Sequence, residues 1–176
     1  MLQKCWSYIG SILILGLIGA SFGWPGQAGA ASSAQELQAA RSITLERTAC
    51  MVPCPEYRVS IAADGTVVYE GLSNVKERGQ RVGSARRADV EALLDEAERL
   101  HYLTLDDRYA AGEAGCPEAQ TCSTTVVTSI DVGGQVKTVS HYHGCGGNPD
   151  LAALKQFEDH IDAVAHTERW IGTGSK

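Results

Sequence analysis

Apolar and polar residues alternate over Ile43-Thr44-Leu45-Glu46-Arg47, over Tyr57-Arg58-Val59-Ser60-Ile61 and over Thr66-Val67-Val68-Tyr69-Glu70. A period of two puts every second side chain on one face of an extended chain, so each run reads as a half-buried strand. Asp64-Gly65 separates the second and third runs and predicts a tight hairpin, with a type I′ turn that needs positive φ at both central residues. One more short strand is expected around Arg81-Val82. The period then lengthens. Val90, Leu93, Leu94, Ala97 and Leu100 recur at helical spacing, with Ser84 as the expected N-cap. Residues Asp106 to Thr121 read as an acidic, glycine-rich loop, followed by a second hairpin: Thr124 to Val132, a Gly133-Gly134 turn, and Gln135 to His143. Asn148-Pro149-Asp150 supplies an N-cap, a first-turn proline and a first-turn acid in order. The helix it opens carries Leu151, Leu154, Phe157, Ile161 and Val164 on one stripe, and Trp170-Ile171 beyond it are expected to dock on the core.

Two hairpins, each followed by an amphipathic helix, predict an α+β domain with an antiparallel sheet and both helices packed on one face. Val59, Ile61, Val67, Ile130 and Val139 are the expected sheet side of the core, and Val90, Leu93, Leu94, Leu100, Leu151, Leu154, Phe157 and Ile161 the helix side. A doubly wound nucleotide-binding fold is not expected, because the chain has neither a glycine-rich phosphate loop nor a βαβ alternation.

Ahead of this pattern, Lys4 precedes an apolar run from Ile9 to Phe22, too short for the ~20 residues that span a bilayer. Trp24-Pro25-Gly26 breaks it, and Ala28-Gly29-Ala30 offers a small-x-small cleavage site. The expected organisation is a signal peptide over 1–30, a tether over 31–42, one domain over 43–172 and a frayed tail over 173–176. Export to the periplasm or beyond is the implied location, with no stable membrane span once the leader is cleaved. The balance of 15 Lys+Arg against 21 Asp+Glu argues against nucleic acid as a partner.

Cysteines change the picture most. An oxidising compartment favours disulfides, and Cys50-Met51-Val52-Pro53-Cys54-Pro55 reads as a local Cys50–Cys54 bridge rather than a redox pair, since three residues rather than two separate the thiols. His141-Tyr142-His143-Gly144-Cys145 has metal-ligand character. In a strand His141 and His143 share a face. The Gly133-Gly134 turn pairs Val132 with Gln135, which sets His141 opposite Val126, His143 opposite Thr124 and Cys145 opposite Cys122. Two histidines and two thiols so grouped are candidate zinc or copper ligands: His141, His143, Cys122 and Cys145. The favoured reading is a Cys122–Cys145 disulfide beside two hydrogen-bonded histidines, with Cys116 in the preceding loop as a competing partner for Cys145. No Gly-x-Ser-x-Gly elbow and no acid/base set is visible, so no catalytic residues are assigned.

Taken in order, Ile43-Thr44-Leu45-Glu46-Arg47, Cys50-x-x-x-Cys54-Pro55-x-Tyr57, Asp64-Gly65-Thr66-Val67-x-Tyr69-x-Gly71, Lys137-Thr138-Val139-x-His141-Tyr142, Ile161-Asp162 and Arg169-Trp170-Ile171-Gly172 resemble the bacterial domain-of-unknown-function 6438 family. The resemblance implies an exported domain with no established activity, substrate or cofactor. It also implies an acidic residue where this chain has Cys122, which leans the partner of Cys145 toward Cys116. The expected function is a non-catalytic binding or envelope-interaction module, with an envelope protein or small ligand as partner and no cofactor. The alternative is a thiol or Cu/Zn protein using the Cys50/Cys54 and His141/His143/Cys145 clusters.

Overall fold

A computed structural model describes residues 41–51 and 53–172. The expected leader, residues 31–40 of the tether and the 173–176 tail lie outside the described residues. The strands are β1 (Arg41–Arg47), β2 (Glu56–Ala62), β3 (Thr66–Ser73), β4 (Gly79–Ser84), β5 (Arg108–Tyr109), β6 (Glu118–Ala119), β7 (Thr125–Val132), β8 (Gln135–Tyr142) and β9 (Cys145–Gly146). The helices are α1 (Arg87–Arg99), α2 (Asp150–Ala165) and the single turn α3 (Glu168–Ile171).

The domain is α+β, with a mostly antiparallel seven-stranded sheet in the order β4-β3-β2-β1-β7-β8-β5 and a two-stranded sheet of β6 and β9. More than two hairpins build it. β1 lies between them, pairing Ile43 with Ile61 on β2 and with Ile130 on β7, while β4 extends one edge and β5 joins the other in parallel. On one face of this sheet Ile43, Leu45, Val59, Ile61, Val67, Tyr69, Val126, Ile130 and Val139 are buried. Their neighbours Thr44, Ser60, Val68 and Ser129 on the other face keep partial exposure. Val90, Leu93, Leu94 and Ala97 of α1 and Leu151, Leu154, Phe157 and Ile161 of α2 complete a single core with that face. Leu100 is only partly buried, one residue beyond the end of α1.

Both turns obey simple rules, one of them differently from expectation. Gly133 and Gly134 have φ of +65° and +90°, as a two-residue type I′ hairpin requires. At the first hairpin only Gly65 has positive φ, and its N–H bonds the Ala62 carbonyl at 2.9 Å. That is a three-residue loop, a type I turn closed by a left-handed glycine, in place of the expected type I′ turn. Ser84 does not cap α1: it pairs with Thr66 at the end of β4, and the helix starts at Arg87. Asn148 does its expected work, accepting the Asp150 N–H at 3.0 Å.

A polar clamp holds α2 against the sheet. Arg47 donates to Asp162 at 2.7 Å and to Asp159 at 3.0 Å, while Tyr57 and Thr167 donate to Asp162 at 2.8 and 2.9 Å. After it, Trp170 on α3 stacks on Tyr69 with ring centroids 4.8 Å apart. Burial first, then the Asp162 carboxylate, pushes the Tyr57 hydroxyl far above its ordinary value; burial likewise raises Tyr102, and Tyr69 to about 12. Unfolded tyrosines ionise near ~10. Above that pH the unfolded chain sheds protons that the native state retains, so stability is full below ~10 and falls as pH climbs toward 12. Far-UV circular dichroism and tyrosinate absorbance should therefore change together in an alkaline titration. Ionisation of Tyr57, Tyr69 or Tyr102 at pH 10 with the fold intact, assigned by single Tyr→Phe variants, would contradict the burial of these hydroxyls.

Candidate metal centre

The register of β7 and β8 is the expected one: Val132 pairs with Gln135, Val126 with His141 and Thr125 with Tyr142. His141 therefore faces the core with Val139, and His143, two residues on, points the same way. What meets them comes from α2. Glu158 lies four residues after Leu154 and three before Ile161, so it falls on the helix stripe that faces the sheet. Its side chain is fully buried. His141 Nδ1 stands 3.1 and 3.2 Å from the two Glu158 oxygens, and His143 Nε2 stands 2.5 Å from Oε2. The two imidazole rings have centroids 4.8 Å apart, and the edge of Tyr109 meets His141 at 6.3 Å.

Glu158 is the residue that the sequence reading omits. The signal for it was present: a carboxylate in register with an apolar stripe must either bend outward or find buried partners. It is hydrogen-bonded to both histidines. A buried carboxylate is stable only when its charge is matched. Here the matching group is an imidazole N–H directed at each oxygen, or a cation that takes the place of those protons. Two imidazole nitrogens and one carboxylate oxygen, all within 4.8 Å of one another, are a set of donors suited to such a cation.

The thiols fall elsewhere. Cys50 and Cys54 form a disulfide with Cα atoms 5.6 Å apart. Cys145 pairs with Cys116, Cα to Cα 5.1 Å, and not with Cys122. Register extrapolation fails there because the ladder runs out. Its last bond is His143 N–H to the Thr124 carbonyl, after which β9 turns to pair Cys145 with Ala119 on β6. That brings in the Cys116 loop. Cys122 takes a left-handed φ of +71° and is the exposed free thiol among the described residues. Of the four expected metal ligands, His141 and His143 therefore converge, while Cys122 and Cys145 do not join them. Breaking the Cys116–Cys145 bridge, which spans 29 residues, by Cys116→Ser should cost about 3.6 kcal/mol through the freed loop entropy of the unfolded chain. Urea denaturation of both forms checks this; an unchanged midpoint would show that the bridge does not form.

A family model described as a domain of unknown function, DUF6438, matches residues 41–165. The chain belongs to the DUF6438 family. No curated protein matches it. The matched DUF6438 span opens on the first residue of β1 and closes on the last residue of α2. It contains both disulfides, the Arg47–Asp162 clamp and the His141–His143–Glu158 cluster; α3, with Trp170, lies just beyond it. Within the described residues of this DUF6438 chain no helix is long and apolar enough to cross a membrane.

Proposed function

We propose that the protein is an exported, disulfide-braced binding module whose ligand is a divalent transition metal, zinc or copper, held by His141, His143 and Glu158. One observation carries this reading: a fully buried carboxylate whose oxygens both meet imidazole nitrogens. Tetrahedral donors at ~2.0–2.1 Å from an ion stand about 3.3 Å apart. His141 Nδ1 already stands 3.1 and 3.2 Å from the two Glu158 oxygens, while His143 Nε2, now 2.5 Å from Oε2, has to move back to admit an ion. Binding in preference to catalysis follows from closure, since the His141, His143 and Glu158 side chains are 3%, 10% and 0% exposed. Three protein donors leave the fourth position of a tetrahedral ion unfilled, as catalytic zinc sites do, but the burial of all three side chains keeps a substrate away from it. Export is supported by the apolar run Ile9 to Phe22 before Ala28-Gly29-Ala30, and by two disulfides of the kind that oxidising compartments retain.

Elemental analysis of the full-length protein, purified without chelators and then dialysed after exposure to zinc, tests the reading. One metal per chain is expected, lost in His143→Ala. At a free metal concentration a hundred times Kd, stability should rise by about 2.7 kcal/mol. A protein that stays metal-free, or a His141→Ala/His143→Ala double variant that keeps its metal, would overturn it.

A further inference from the structure

We propose that Met51 and Cys122 form a second, surface site for a soft monovalent cation of the copper(I) class, separate in donors and position from the buried His141–His143–Glu158 cluster. Cys122 Sγ lies 3.6 Å from Met51 Sδ. Met51 is 82% exposed and the thiol is exposed as well, so neither sulfur is placed by core packing. The two residues are 71 positions apart in the chain and are brought together by the sheet. Thr48, just after β1, is tied to the approach to β7: its N–H bonds the Thr125 carbonyl at 3.1 Å, and Thr124 Oγ1 bonds its carbonyl at 2.6 Å. The two loops therefore leave the same end of the sheet side by side. The Cys50–Cys54 bridge closes the loop that carries Met51, and the left-handed backbone at Cys122 aims its thiol across the gap. Together with Cys50, Thr121, Ser123 and Tyr142 they line a shallow cavity of about 420 Å³.

Thiolate and thioether sulfurs take soft and borderline cations, copper(I) and zinc among them, over harder ions, and a neutral thioether as the second donor suits the monovalent, softer copper(I). On binding, the Cys122 thiol releases its proton to solvent, and the thiolate with the neutral thioether offsets the single positive charge. No electron moves, because the metal arrives in the monovalent state. This assignment uses none of the donors of the buried cluster, and either site can exist without the other.

Silver(I), which needs no reductant, serves as the probe in a competitive titration of the full-length protein followed by native mass spectrometry. One silver per chain is expected, abolished by Cys122→Ser, weakened at least tenfold by Met51→Leu and unaltered by His143→Ala. Bound silver should also shield the thiol from alkylation in the unmodified chain. Both substituted side chains are exposed, so unchanged circular dichroism will show that the variants fold. Equal affinity in Met51→Leu and the parent would overturn the site by showing a thiol acting alone, and silver retained by Cys122→Ser would overturn it outright.

Discussion

Asp162→Ala should cost the domain about 3–5 kcal/mol, because it leaves a largely buried guanidinium without its main partner. The Arg47 and Asp162 side chains are each 16% exposed, and Asp162 accepts from Arg47, Tyr57 and Thr167 at once. These donors come from β1, β2 and the start of the α3 turn, so one carboxylate ties α2 to two strands and to the chain that follows. Asp159 remains as a second acceptor for Arg47, but it is half exposed and already shared with Lys155 at 2.7 Å, so it offsets little of the loss. Removing both charges should be milder. An Arg47→Met/Asp162→Leu pair replaces a buried ion pair by apolar volume, a change that is often neutral. Urea midpoints for the single and double variants measure the difference; a single Asp162→Ala within 1 kcal/mol of the parent would show that the clamp is not what fixes α2.

Phe157→Ala should cost a similar ~3–5 kcal/mol, by lost transfer energy together with the cavity left behind. Phe157 is completely buried, and its ring lies 5.8 Å from that of Tyr102. Tyr102 is itself held by its hydroxyl to Thr128, 2.9 Å to the carbonyl and 2.6 Å to the side-chain oxygen, so it cannot move to fill the void. Phe157→Leu, which keeps most of the volume, should lose no more than about 1.5 kcal/mol. Both values come from the same denaturation experiment, and equal midpoints for Ala and Leu would mean that the site collapses freely. Phe157 directly precedes Glu158, so the Ala variant should also loosen the proposed metal site, seen as weaker metal retention at temperatures where the domain is still folded.

The strands and helices that the sequence predicts are those whose faces are set by local periodicity. Val59, Ile61 and Val67, or Leu151, Leu154 and Phe157, announce their buried face through spacing alone, and all six are buried. Pairing across the sheet is different. Nothing in Ile43-Thr44-Leu45 states that β1 will lie between β2 and β7, because a central strand and an edge strand can share one alternation. The parallel β5, two residues long, is too short to carry any pattern. At the His141–His143–Glu158 cluster the turn glycines sufficed to place His141 and His143 together, since register propagates along an unbroken ladder. The same arithmetic misassigned Cys145, because the ladder stops at Thr124 and His143 and the chain turns toward β6. Glu158 was hidden for another reason. Its helical position marked it as buried, but its charge made a solvated face the simpler reading until the opposing histidines were in view.

The most direct test of the metal assignment is diffraction from crystals of the protein soaked in zinc, recorded on both sides of the zinc absorption edge. One anomalous peak is expected, bonded to His141 Nδ1, His143 Nε2 and a Glu158 oxygen, and absent from crystals of Glu158→Gln. Zinc-soaked crystals with no anomalous density there, and with the three side chains still joined by direct hydrogen bonds, would contradict it.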